Sequence, residues 1–146
     1  MPIRNLLSGL FFLLLAMAFP AAQPVFAGPP GNTVIGGQKV LTLVVREPPA
    51  LRCNNNMQIA AELNNLYKIP IIVLPASLAP WAKAPAVYYG DQLIAEDGGD
   101  FNGMVGFAQM VDVIEIEGAP RQDRGGRLTE VKKEHEALKA AIKGGE

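Results

Sequence analysis

Cysteine is almost missing from this chain: Cys53 is the only one in 146 residues. A lone cysteine cannot close an intramolecular disulfide, so a disulfide-stapled scaffold is excluded. Histidine and tryptophan are as scarce, with His135 and Trp81 the single examples. A formal net charge of −1 gives no electrostatic case for a nucleic-acid partner. No phosphate loop, serine-hydrolase elbow or paired zinc motif occurs, and no internal repeat or low-complexity tract. Asp97-Gly98-Gly99-Asp100 has the look of a calcium loop but lacks the ligand spacing and closing glutamate.

Charge is also missing from the start of the chain. After Arg4, nothing ionisable appears until Lys39, and Leu10 to Phe19 is strongly apolar. Such a stretch is the n-region and h-region of a secretory signal, and Val25-Phe26-Ala27 predicts cleavage after Ala27, with Ala22 as the second choice. The run is shorter than the roughly 20 residues a spanning helix needs, which disfavours a retained anchor. The expectation is a periplasmic or secreted protein with no membrane association after cleavage. About 120 remaining residues bury one core, so one domain is expected.

Gly28 to residue 38 offers turns and no periodicity, the pattern of a flexible leader. Val40 to Val45 is nearly continuous apolar sequence, a strand covered on both faces. Pro48-Pro49 stops it. Asn54 to Asn56 supply helix caps, and Ile59, Leu63 and Leu66 predict a helix over about 55–67. Ile69 to Pro75 follows as a second buried strand, completing a parallel βαβ unit.

Ala86 to Tyr89 and Gln92 to Ala95 flank Gly90-Asp91 and predict a hairpin. Strand alternation sends one of Tyr88 and Tyr89 into the core, leaving at most one for a surface. Phe101 to Ile116 reads as one helix with Met104, Phe107, Ala108, Val111 and Ile114 on a face. Residues 118–126 form a polar linker, and 128–143 an exposed helix with a thin stripe of Leu128, Val131, Leu138 and Ile142. His135 is assigned to the solvated face of that helix. Residues 39–117 then form the domain and 118–146 a charged tail. The fold class is α/β, a mixed sheet of about four strands flanked by helices, with an extra C-terminal helix.

Two segments carry a resemblance: Cys53 between a strand and a helix, and Ala84-Pro85-Ala86-Val87-Tyr88-Tyr89-Gly90-Asp91-Gln92-Leu93-Ile94. Together they resemble the thioredoxin-like superfamily of small thioredoxins and glutaredoxins, over residues 39–117. The resemblance implies a cis-proline at Pro85 opposite the cysteine loop, with Ala84 offering its backbone to an extended substrate and Trp81 and Arg52 bordering the groove. It also implies a second cysteine, but position 56 is Asn56 and position 50 is Ala50. Ala95-Glu96 stands where many glutaredoxins carry the glycine pair that approaches glutathione.

Three expectations follow. Arg52 and a helix N-terminus both favour thiolate at Cys53, so a lone catalytic thiol acting on an exported protein or a small thiol is the first. The second is a catalytically inactive module that uses the same groove to bind a partner. The third and most distant is Cu(I) handling by Cys53 and Met57, against which Met57 as a core residue weighs heavily. No cofactor or resident metal is expected, and an unpaired exported cysteine leaves a disulfide-linked dimer open.

Overall fold

Five consecutive residues, Leu41 to Val45, are buried, and the sheet is built outward from this strand. The computed structural model describes residues 28–31, 33–126 and 131–144. In chain order the strands are β1 (Val34–Ile35), β2 (Gln38–Lys39), β3 (Leu41–Val45), β4 (Ile71–Pro75), β5 (Ala86–Tyr89) and β6 (Gln92–Glu96). The α-helices are α1 (Leu51–Leu66), α2 (Phe107–Ile116) and α3 (Lys132–Lys143), with 3-10 turns at Ala76–Leu78 and Asp100–Gly103.

The main sheet has the order β4-β3-β5-β6. β3 runs parallel to β4, with Leu41 opposite Ile71, and antiparallel to β5, with Leu41 opposite Tyr89. The β5–β6 hairpin turns at Gly90 and carries a bulge between Val87 and Tyr88. The segment 28–38, expected to hold only turns, forms part of the small β1–β2 hairpin. The 27 residues expected as a signal and the stripe residue Leu128 lie outside the described residues.

Both core helices use one face of the sheet. Leu41, Leu43, Val87, Tyr89 and Ala95 from the strands pack with Ile59, Ala60 and Leu63 of α1 and Met110 and Ile114 of α2. At ~1.5–3 kcal/mol for each large side chain removed from water, this cluster is the main source of stability. On the other face Val44, Ala86 and Tyr88 are covered by Ala79 and Trp81 of the β4–β5 connection. Both tyrosines are therefore buried, on opposite faces, and burial pushes both phenols up from their ordinary value. Neither is left to line a surface.

Two helix limits differ from expectation, and so does the face on which the last helix docks. α1 begins at Leu51, four residues early, behind an Ala50 N-cap that makes no side-chain bond. Asn54 to Asn56 are therefore inside the helix, and Asn55 and Asn56 spend their amides on a distant loop. α2 begins at Phe107, because Phe101 and Asn102 (φ 57 and 51) and Gly103 (φ 77) turn the chain before it. Its buried face is Met110 and Ile114; Ala108 is exposed. α3 docks on α1 mainly through His135, 7% exposed, while Val131 and Leu138 face solvent. The assignment of His135 to a solvated face is thus overturned: on α1, Gln58 bonds the buried ring and Glu62 stands beside it.

Candidate functional site

Cys53 is the third residue of α1, inside its first turn rather than in the loop before it. Its side chain is fully buried, at 0% exposure. The Arg46 backbone N–H, at the end of β3, donates to Sγ at 3.3 Å. Helix geometry explains the burial. Cys53, Asn56, Ile59, Ala60 and Leu63 recur at helical spacing on the buried side of α1, while Ala50, the N-cap, is exposed.

The Ala84–Pro85 peptide is cis, and so is Glu47–Pro48, which the sequence did not single out. Ala84 does not offer a free carbonyl, because Arg46 Nε donates to its oxygen at 3.0 Å. The same guanidinium reaches Asp97 Oδ2 through Nη2 at 2.6 Å. Arg52 Nη1 donates to Asp97 Oδ1 at 2.5 Å and also to the Asn102 carbonyl. Asp97 therefore sits between two arginines, and the bond from Arg52, followed by that from Arg46, holds its carboxyl below the ordinary 3.8. Arg52 is committed to this carboxylate, which compensates the cation expected to act on the thiol.

Asn56 occupies the position where a C-x-x-C pattern would place the second cysteine. It is 2% exposed, and both ends of its amide are used: Nδ2 donates to the Gly103 carbonyl at 2.7 Å and Oδ1 accepts from Val105 N–H at 3.0 Å. Asn55 adds a bond from Nδ2 to the Val105 carbonyl at 2.9 Å. These bonds bind the 103–105 strand of loop to the first turns of α1. Asn102 is held by Arg52 as well, so the loop carrying Phe101 is fixed at several points.

Phe101 itself is 76% exposed, in a left-handed conformation uncommon for a non-glycine residue. Beside it lies an open cleft of about 530 Å³ lined by Asn55, Phe101, Met104, Val105, Gly106, Gln109 and Lys143. Leu51 and Ile142 extend its apolar wall where it meets an adjoining hollow. Among the described residues, Lys143 is the one charged residue on these walls.

Trp81 lies away from this cleft. Its ring meets Tyr88 edge-on, with centroids 5.3 Å apart and planes at 64°, and it covers the second face of the sheet. Met57 packs half-buried against the main cluster. No group of three or more His, Cys, Asp or Glu residues able to hold a metal occurs among the described residues. Of the residues expected at the site, Cys53, Arg52, Ala84 and Pro85 come together around Arg46 and Asp97, and Trp81 does not join them.

A second polar cluster joins α3 to α1. Gln58 Nε2 donates to His135 Nδ1 at 2.8 Å, which leaves the ring proton on Nε2, 3.2 Å from Glu62 Oε1. Lys139 Nζ bonds Glu62 Oε2 at 3.2 Å. Its approach to Oε1 at 3.1 Å, like that of His135 Nε2, lacks hydrogen-bond alignment.

Arg46 and Gly103 carry no signal in the sequence, whereas Asp97 stands in the rejected calcium loop, Phe101 in the expected helix and His135 on the expected solvated face, none of them at the site. One signal was present for the loop clamp: three consecutive asparagines are poor helix formers and call for a tertiary reason inside a helix. No family model matches the chain, and no curated protein or solved structure does.

Proposed function

We propose that this is an exported, catalytically inactive thioredoxin-like binding module, which recognises an extended segment of another exported protein at the cleft beside Phe101. The observation that carries this reading is the state of Cys53: fully buried, with its sulfur accepting the Arg46 N–H. A nucleophilic thiol must reach the sulfur it attacks, so a buried thiol has no access to a disulfide. The β4-β3-β5-β6 order, with its parallel pair and antiparallel hairpin, and the cis Ala84–Pro85 bond support the thioredoxin-like part of the proposal.

The recognition surface moves away from the groove that the resemblance implies, because Arg46 already occupies the Ala84 carbonyl. An exposed aromatic held in a sparsely populated conformation, next to apolar Met104 and Leu51, fits an apolar side chain of the partner. Lys143 fits an acidic group near it. Affinity purification of the tagged full chain from its exporting cell tests the proposal. A partner kept by Cys53→Ser and lost by Phe101→Asp is the expected result. A partner held through a reducible disulfide and lost with Cys53→Ser would instead favour the lone-thiol reading.

A further inference from the structure

β4 lies at one edge of the sheet, and among the described residues it pairs with β3 alone. The direction of its free backbone groups follows from the ladder. Leu41 N–H bonds the Pro70 carbonyl, so alternation turns the groups of residues 72 and 74 toward β3 and those of Ile71 and Val73 away from it. The outer edge thus presents two N–H donors and their carbonyls. Pro75 has no N–H to offer, and on the other side the outward carbonyl of Ile69 already accepts from Asn64 Nδ2 at 3.2 Å, so the usable edge is confined to Ile71–Val73.

Among the described residues, the hollow beside this edge is lined by no charged side chain. Val73 is 46% exposed, and the hollow between β4 and α1 is lined by Met57, Ala60, Ala61, Asn64, Ile71 and Val73 among others, all uncharged. Exposed edges are ordinarily protected by charged side chains, above all lysine. The opposite edge shows that protection: β6 carries Glu96, paired with Lys83 at 3.6 Å. β4 has only its flanking prolines, which limit the length of pairing without blocking it.

We infer that the Ile71–Val73 edge is a homodimer interface, in which β4 of a second copy pairs antiparallel about a two-fold axis at Ile72. This arrangement places Ile71 opposite Val73 of the partner, and Val73 opposite Ile71 of the partner. Each such pair exchanges two N–H···O bonds, and the two Ile72 residues meet as the intervening non-bonded pair. A two-fold interface sets each patch against its own copy, so any charge on it would meet its like; the uncharged edge is self-complementary. Pro75 and the occupied carbonyl of Ile69 fix the register, because a shift in one direction brings a missing donor into the ladder and a shift in the other an occupied carbonyl. The interface is small and the dimer correspondingly weak. It shares no residue with the site around Cys53 and Phe101, so its failure would leave the proposed function untouched.

Sedimentation of the full chain over a range of concentrations tests this. The expected result is a mass that rises from one chain toward two as concentration increases, monomer at every concentration for Val73→Lys, and retained dimer for Val73→Thr. Circular dichroism verifies that both variants fold. A second arm replaces Ile72 with cysteine, placing two thiols across the axis at the close separation of a non-bonded pair. Mild oxidation should link Ile72→Cys chains at least tenfold faster than Leu78→Cys chains, whose side chain is exposed but off the edge. A wild-type chain that stays monomeric, a Val73→Lys chain that still dimerises, or equal linking rates would overturn the inference.

Discussion

Gly103 lies directly against Pro85: a Cβ built on Gly103 would stand 2.2 Å from the Pro85 carbonyl oxygen, closer than any real side chain approaches backbone. Its φ of 77° adds a second demand that only glycine meets without strain. The carbonyl of this same glycine accepts from Asn56. Cis-proline segment, glycine and helix α1 are thus stacked in contact, and the loop bearing Phe101 has nowhere to shift.

Gly103→Ala therefore destabilises the protein by more than the ~1–2 kcal/mol of the left-handed conformation alone, because the backbone must also move away from Pro85. Chemical denaturation should place the loss above ~2 kcal/mol. Gly98→Ala has a positive φ but open space around it, and should cost no more than the conformational term.

Asn56→Ala leaves Gly103 C=O and Val105 N–H without their buried partner. A loss of ~2–4 kcal/mol is expected from two such groups at ~1–3 kcal/mol each, with some relief from repacking. The neighbouring Asn54→Ala, on an exposed position of the same helix, should change the denaturation midpoint little.

The two positions flanking Cys53 in the C-x-x-C pattern should respond oppositely to a new thiol. Ala50→Cys places it on the exposed N-cap, one turn before Cys53, and should yield a chain that forms an intramolecular disulfide on mild oxidation. Asn56→Cys places it in the buried loop clamp and should yield destabilisation without a readily formed disulfide. Counting free thiols before and after oxidation distinguishes the two.

Asp97 predicts a specific acid sensitivity. Its folded carboxyl titrates below the ordinary 3.8, so the two arginines stabilise the fold above that value. The contribution is lost as pH falls below about 4 and on through the lower folded value. Asp97→Asn should be less stable than the wild type near neutral pH, and the two stability curves should converge at acid pH. Parallel curves from pH 7 down to about 2 would contradict the role assigned to this carboxylate.

His135→Ala removes the buried contact of α3 with Gln58 and Glu62. Amide exchange over 132–143 should accelerate by about tenfold or more while the β3 amides keep their protection. Leu138→Ala, at a 51% exposed position, should leave α3 exchange nearly unchanged.

The strands and the hairpin were legible because their signals are local. Val40 to Val45 and Ile69 to Pro75 carry their apolar runs in sequence, and Gly90 sits at the turn between β5 and β6. The site was less legible because its bonds are long-range. Asn56 meets Gly103 and Val105 across 47 and 49 residues, and Arg46 meets Asp97 across 51. Helical spacing puts His135 on the same stripe as Val131, Leu138 and Ile142, but its polar ring reads as solvated until its partner Gln58 on α1 is in place. From sequence Cys53 reads as a loop thiol, because its burial depends on α1 starting at Leu51, ahead of the asparagines that look like caps.

The central claim is that Cys53 is a buried side chain and no working nucleophile. Its most direct test is the rate at which a small alkylating reagent modifies Cys53 in the native full chain, compared with the same chain unfolded. The account predicts native modification at least about a hundredfold slower, rising with denaturant as the fold opens. Stoichiometric native modification at the rate of the unfolded chain would contradict it, and would return Cys53 to the role of an accessible thiol.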